Sequence, residues 1–539
     1  MVALAADFHR RRASRGPLLN QPGDRAPQRR RLSAVLLSVA LCCGGCNLYA
    51  VGVPHQTNPT IDALQQTLAA IPFERTPSLA AATADEQVTP IPASPAPGTP
   101  TPYSLESDTV YHYRVLPGDT ADGLAGRFGV ESAQIQGTTA LSGAGYLPAG
   151  EMLTIPKVLE SVTSAQWLLP DSEVVYSPSA ADFDAQTYIA QAGGDLASYA
   201  QTIAKDDTRS GGAILQKVAT ELSVNPRLLV GLLEFRSGWV FGKPAPDKVL
   251  APLGFQNPAR SGLYQELTIA GTQLNRAFYG WQAGSFTELT FPDGSRLRLD
   301  PTLNAGTVAL LHLLTFFDDP DRWQLDAYGP QGFPAHYQAM FGDSWLREAG
   351  AGALLPAGLA QPALELPFPA GQAWSLTGGP HEAWNAGTPR GALDFSPITD
   401  EPPCAVSPDW ATASADGVIV RAADNVVALD LDGDGIEATG WVLVYLHLAA
   451  QDMIAPGSLV TTGRYLGHPS CEGGRTTGTH VHFARKYNGV WLAADGPVPM
   501  ILSGWRATAG PVDYAGQLVK DGQAVSADPS GRHGSTIKH

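Results

Sequence analysis

The stretch Thr477-Gly478-Thr479-His480-Val481-His482-Phe483 holds the residues of this 539-residue chain best suited to chemistry. On a strand, alternate side chains share a face, so His480 and His482 point the same way with Val481 behind them. Two imidazoles placed like this can bind or work beside one metal ion. The glycines ahead of them let the backbone come close to whatever sits there. Three further elements offer matching groups: Thr377-Gly378-Gly379-Pro380-His381, Leu393-Asp394-Phe395, and His447 at the end of an apolar run. A catalytic zinc takes about three protein ligands of the histidine or carboxylate type and keeps one position open for water. His381, Asp394 and His482 would supply the ligands. His447 and His480 then remain as polarising and proton-transferring groups.

The elements that must hold these groups begin near Leu366, where the chain turns to short strands, glycines and turns. Strand candidates are 417–421, 426–429, 440–448 and 480–483, and their regular spacing with polar turns argues an antiparallel β core over 366–506. Residues 507–539 read as a C-terminal tail. The segment resembles the β-lytic and staphylolytic subgroup of the M23 zinc metallopeptidases. The wider family carries its first ligand in His-x-x-x-Asp, which would fall on Arg390; the subgroup uses a distant His, and here His381 and Asp394 stand 13 residues apart. The block from Cys471-Glu472-Gly473-Gly474 through Thr477-Gly478 to His480 and His482, followed by Tyr487-Asn488-Gly489, carries the same likeness. The resemblance implies one zinc, the ligands His381, Asp394 and His482, catalytic His447 and His480, and cleavage of peptidoglycan peptides.

Between two of these strands lies Asp430-Leu431-Asp432-Gly433-Asp434-Gly435. Aspartates at alternating positions could aim oxygens at calcium, which makes Asp430, Asp432 and Asp434 a candidate site. Trp441 stands where the twelfth-position Glu of a calcium loop belongs, and an acidic hairpin turn is the commoner reading.

Upstream, residues 111–157 open with Val115-x-x-Gly118-Asp119-Thr120 and close with Gly150-x-x-Leu153-x-Ile155-Pro156. They resemble a LysM domain, which implies a small βααβ fold and binding to wall glycan; its glycan-binding residues are not named by the sequence. Residues 185–350 read as a mainly α-helical middle domain. Its Asn225–Trp239 stretch faintly resembles the acid-bearing helix of lysozyme-like domains, but Arg236 holds the expected acid position. Glu234 lies two residues earlier, roughly 200° around a helix from it, so the module reads as degenerate.

The formal charge of the whole chain is −16. Residues 1–45 carry eight Arg against Asp7 and Asp24, a surplus of +6, so the remainder holds −22. An acidic body argues against nucleic acid as partner. The arginines precede a short apolar run ending at Cys46, the pattern of an export signal (1–46) of lipoprotein type, with Cys46 as the lipidation site. A Pro/Thr-rich tether over 47–110 would hold the later domains away from the membrane. Beyond Cys46 only Cys404 and Cys471 remain, and two cysteines in an exported chain suggest one disulfide. The expectation is a multidomain, extracytoplasmic wall peptidase attached to peptidoglycan and, through lipid, to a membrane. A catalytically silent wall-binding scaffold, or an activator of another cell-wall hydrolase, is the alternative.

Overall fold

The computed structural model describes residues 109–137, 145–255, 261–531 and 533–539. The export signal, Cys46 and nearly all of the expected tether lie outside the described residues. Among the described residues, no helix is long and apolar enough to cross a membrane.

Strands β1 (Val110–Arg114) and β2 (Met152–Pro156) pair antiparallel, with Tyr111 opposite Ile155 and Tyr113 opposite Leu153. Their alternating apolar residues close on Leu124 and Phe128 of the helix Ala121–Phe128. Thr120 caps that helix by accepting from Gly123 N at 3.0 Å, as its hydroxyl suits it to do. Asp119 is buried instead, accepting from the Tyr113 hydroxyl at 2.8 Å and Leu116 N at 2.7 Å and pairing with Arg127. The second helix of the expected βααβ fold is, among the described residues, a 3-10 turn at Ser132–Gln134. Gln136 bridges to Thr154, which draws the chain into extended backbone before a further turn can form. The unit sits backbone to backbone on its neighbour: a Cβ on Gly123 or Gly126 would overlap the carbonyls of Gln282 and Gly284.

Residues 185–351 form the helical region. Its helices are Ala185–Ala192, Gly211–Leu222, Pro226–Ser237, Pro246–Leu250, Leu263–Gln282, Ala305–Leu314, Pro320–Tyr328, Phe333–Phe341 and Ser344–Ala351. Two hairpins interrupt them, β3 (Ala200–Ala204) with β4 (Asp207–Ser210), and β5 (Glu288–Thr290) with β6 (Arg296–Arg298). Every residue of Ala305–Leu314 is buried, as an apolar helix without a polar face must be.

The third region is an antiparallel sheet. Its strands are β7 (Ala373–Glu382), β8 (Arg390–Pro397), β9 (Ala411–Thr412), β10 (Gly417–Ala423), β11 (Val426–Asp430), β12 (Trp441–Leu446), β13 (Leu459–Val460), β14 (Tyr465–Gly467), β15 (Val481–Tyr487) and β16 (Val490–Trp491). The short β17 (Ile501–Leu502), β18 (Trp505–Ala509), β19 (Gly516–Lys520), β20 (Gln523–Ser526) and β21 (Thr536–Lys538) follow. The main sheet runs β13-β10-β11-β12-β15-β8-β7-β21, with β16 on β15.

Both faces of its centre are apolar, and the period of two sorts them. Val426, Ala428, Val442, Val444, Leu446 and Ala484 join the core of the helical region. Their alternates Val427, Leu429, Leu443, Tyr445, Val481 and Phe483 form a second core with Phe368, Trp374 and Met500. This explains why β12 reads as an unbroken apolar run in an antiparallel sheet, where one wet face is common.

The expected tail over 507–539 is instead part of this region. Residues 501–526 form the four-stranded sheet β17-β18-β19-β20, and β21 adds to the edge of β7 with Ile537 buried. An edge strand with unpaired backbone groups is a template for another strand, and the chain end satisfies it. The acidic loop lies between β11 and β12. Asp430 accepts from Asp432 N at 3.1 Å and Gly435 N at 2.9 Å, and Asp434 accepts from Ile436 N at 2.8 Å and Thr439 Oγ1 at 2.7 Å. These carboxylates hold the hairpin together, and a calcium role for Asp430, Asp432 and Asp434 is not supported.

Candidate metal centre

His482 lies on β15 opposite Asp394 of β8, and His381 comes from β7 next to β8. His447 follows β12, which flanks β15 on the other side, and His480 opens β15 through a bridge to Ser470. Four adjacent strands therefore bring all five predicted residues to one end of the sheet, on the face that packs against the helical region. Their exposures run from 0% to 8%.

Each imidazole turns one nitrogen to a backbone carbonyl. His381 Nδ1 lies 2.8 Å from Gly379 O, His482 Nε2 3.0 Å from Ala383 O, His447 Nδ1 2.8 Å from Glu472 O and His480 Nδ1 2.7 Å from Gly478 O. A carbonyl only accepts, so each of these nitrogens carries the proton, and a neutral ring then presents a lone pair at its other nitrogen. His381 Nε2 and His482 Nδ1 face each other at 3.0 Å, and each is 3.4 Å from Asp394 Oδ1. Two lone pairs and a carboxylate oxygen repel at that distance unless a cation lies among them. Tetrahedral zinc with bonds near 2.0–2.1 Å spaces its ligand atoms by about 3.3 Å. The donor set and its spacing fit zinc. His447 Nε2, His480 Nε2 and Asp394 Oδ1 are buried without a hydrogen-bond partner among the described residues. His480 Nε2 stands 3.6 Å from Asp394 Oδ1, and the His447 and His480 rings lie 4.7 Å apart.

Charge follows the geometry. Burial alone would raise Asp394, but His381 and His480, when they carry positive charge, hold it well below the usual carboxylate range. Burial, reinforced by His480 nearby, pushes the His447 imidazole well below its ordinary value, which keeps it neutral.

The supporting residues were harder to foresee. A Cβ on Gly378 would overlap Asp394 Oδ2, so the glycine lets the ligand strand pass. Tyr514 stacks on His381 with ring centroids 4.1 Å apart, and its carbonyl accepts from Gly379 N at 2.8 Å. It adopts φ +65°, and His447 adopts φ +70°, conformations that cost a non-glycine residue about 1–3 kcal/mol and cluster at functional sites. Ser470 holds the strained His447 by donating to its carbonyl from N at 2.8 Å and from Oγ at 3.0 Å. Cys471 is disulfide-bonded to Cys404, with Cα atoms 5.0 Å apart, so the bridge anchors the loop whose Glu472 carbonyl orients His447. Gly378 stood in a quoted motif; Tyr514 carries no local signal, being far along the chain.

Residues outside this centre serve packing. Glu234 accepts from Val240 N at 2.8 Å and Phe241 N at 3.1 Å, and Arg236 binds Asp318 at 3.0 Å. His468 Nδ1 lies 2.9 Å from Asp409 O, its ring against Trp410.

Comparison with known proteins follows this division of the chain. Residues 167–355 match the family profile described as LasA, N-terminal domain. Protease LasA of Pseudomonas aeruginosa is 26% identical over 349 residues, which cover 61% of this chain and 75% of that protein. The β-lytic metalloendopeptidase of Achromobacter lyticus is 29% identical over 184 residues, 32% of this chain and 44% of the relative. Among solved structures, the M23 metalloprotease pseudoalterin matches at 22% identity and a TM-score of 0.25, covering 31% of this chain and 96% of that one. The chain is similar to protease LasA and to β-lytic metalloendopeptidases.

Proposed function

We propose that the chain is a zinc-dependent endopeptidase acting on the peptides of bacterial peptidoglycan. The observation that carries this reading is the triangle of His381 Nε2, His482 Nδ1 and Asp394 Oδ1 at 3.0–3.4 Å, with His447 and His480 beside it. When bound there, zinc supplies Lewis acidity towards a scissile carbonyl and a water molecule. The chain's own contribution is proton handling. His447 and His480 each present an unprotonated Nε2 to the centre, and one of them takes the proton of the attacking water. The same nitrogen returns it to the leaving amine. The second, after taking up a proton from solvent at its Nε2, donates a hydrogen bond to the developing oxyanion. Both rings are held by carbonyls, so neither must reorient during the reaction.

The 111–157 unit is read as a LysM module that holds the enzyme to wall glycan, on the strength of its opening and closing motifs. Cys46 is read as the lipid attachment point of an exported protein. A silent scaffold is the second reading, and the near-complete burial of the five site residues is what favours it.

Digestion of purified peptidoglycan by residues 47–539, with products read by mass spectrometry, separates the two. New peptide amino termini that vanish with chelator and return with zinc are the expected result. Intact peptides despite bound zinc and wall binding would transfer the assignment to the scaffold.

A further inference from the structure

A cavity of about 320 Å³ lies where the 110–156 unit, the helical region and the chain beyond Ser344–Ala351 meet. It shares no residue with the metal centre. Its wall includes Trp167, Asp171, Asn304, Trp345 and Glu348, and none of its lining residues is Lys, Arg or His. The two tryptophans stack with ring centroids 6.0 Å apart at 25°, and Trp167 Nε1 donates to Thr302 O at 3.0 Å.

Hydrogen bonds from Ser172 reach Glu348, and one acceptor of this wall lacks a donor among the described residues. Asp171 Oδ1 accepts from Asn304 Nδ2 at 2.8 Å and Gly306 N at 2.7 Å. Asn304 is 4% exposed, and its Nδ2 is committed to Leu169 O and Asp171, which fixes the amide's orientation. Its Oδ1 is buried with no hydrogen-bond partner among the described residues. An acceptor stranded in this way keeps its full desolvation penalty. The two carboxyls also oppose one another. Burial, and after it the nearby Asp171, pushes Glu348 up to about 7, and burial pushes Asp171 up to about 6. An anionic ligand would add to this repulsion. A neutral hydroxyl ligand would satisfy oxygens without relieving it.

We propose that this cavity binds a primary ammonium group. Its three N–H bonds match the Asp171 and Glu348 carboxylates and the Asn304 amide oxygen, and the tryptophan pair flanks the charge and its alkyl stem. Such a group could come from a lysine-type side chain of a peptide or from a free diamine. The inference does not depend on the peptidase reading, because its site and its test both lie apart from the metal centre.

The test is calorimetric titration of the full chain with cadaverine, with a lysine-containing tripeptide and with 1-pentanol. Saturable binding of either amine, at least about tenfold tighter than 1-pentanol, is expected from the value of a charged hydrogen bond. Glu348→Gln should weaken amine binding by about tenfold or more while the melting temperature holds or rises, and Trp345→Leu should weaken it without touching a carboxylate. Preference for the tripeptide would identify a peptide amine, and preference for cadaverine a free diamine; either supports the site. No binding, equal binding of 1-pentanol, or an unchanged dissociation constant in folded Glu348→Gln would overturn it.

Discussion

At the residue scale the centre separates binding from proton transfer. On the proposed reading His482 is a ligand, and His480, just ahead of β15, sets its Nε2 3.6 Å from Asp394 Oδ1. His482→Ala should lose both metal and activity. His480→Ala should keep zinc, measured by metal analysis after dialysis, while kcat falls by about 10²–10⁴, the range for general acid–base groups. Loss of zinc in the His480 variant would make that residue a ligand instead. Gly378→Ala tests the strand approach, because the added methyl meets Asp394 Oδ2. Weaker zinc binding, read by competition with a chromophoric chelator, is expected from a protein that still folds. Undisturbed zinc affinity would show that the strand yields.

At the element scale, the loop 471–479 supports the site without regular structure and is held by cross-links. Its start is bridged to Cys404, and Glu472 Oε2 accepts from Asn425 Nδ2 at 2.7 Å and Ala450 N at 3.1 Å. Asn425 belongs to the turn between β10 and β11, where Asp424 and Asn425 both take positive φ, as a two-residue hairpin requires. Cys404→Ser should lower stability by about 2–4 kcal/mol in denaturant titration under oxidising conditions. It should lower kcat more than zinc affinity, since the bridge acts on the loop that orients His447 and not on the ligand strands. Equal losses of both would place the bridge's effect on the whole sheet.

At the scale of the whole molecule, the helical region and the sheet share one apolar core, and ion pairs mark the seam. Lys217, 4% exposed at its side chain, binds Glu221 and Asp424 at 2.6 Å each, and Arg209 binds Asp424 at 2.7 Å. Burial opposes Asp424's charge, yet Lys217 and Arg209 outweigh it and hold the carboxyl far below its usual range. A depressed carboxyl contributes stability above its unfolded pKa of about 3.9, and that contribution fades as pH falls towards the folded value. Asp424→Asn leaves two cations facing a neutral amide. About 3 kcal/mol of destabilisation is expected at pH 7, shrinking as the wild type is acidified below about pH 4. A pH-independent difference would point to packing at the turn as the cause.

Residue types and their spacing alone pick out which groups could form the centre. Imidazole and carboxylate are the few groups that suit zinc, strand alternation sets His480 and His482 on one face, and glycine motifs mark the turns around them. Antiparallel strands and a helical middle region were legible for the same reason, since their periods are local. The acidic hairpin between β11 and β12 was ambiguous because aspartates that cap backbone N–H groups and aspartates that bind calcium share one spacing. Only the tertiary structure decided which carbonyl each imidazole faces, because Gly379, Ala383, Glu472 and Gly478 meet the rings through long-range folding or tight local turns. It also decided that residues 501–526 form a sheet of their own, that Thr536–Lys538 completes the edge of the main sheet, that Tyr514 stacks on His381, and that the apolar back of β12 meets helices. Periodicity says which side chains share a face; it carries no information about what covers that face, which depends on contacts hundreds of residues apart.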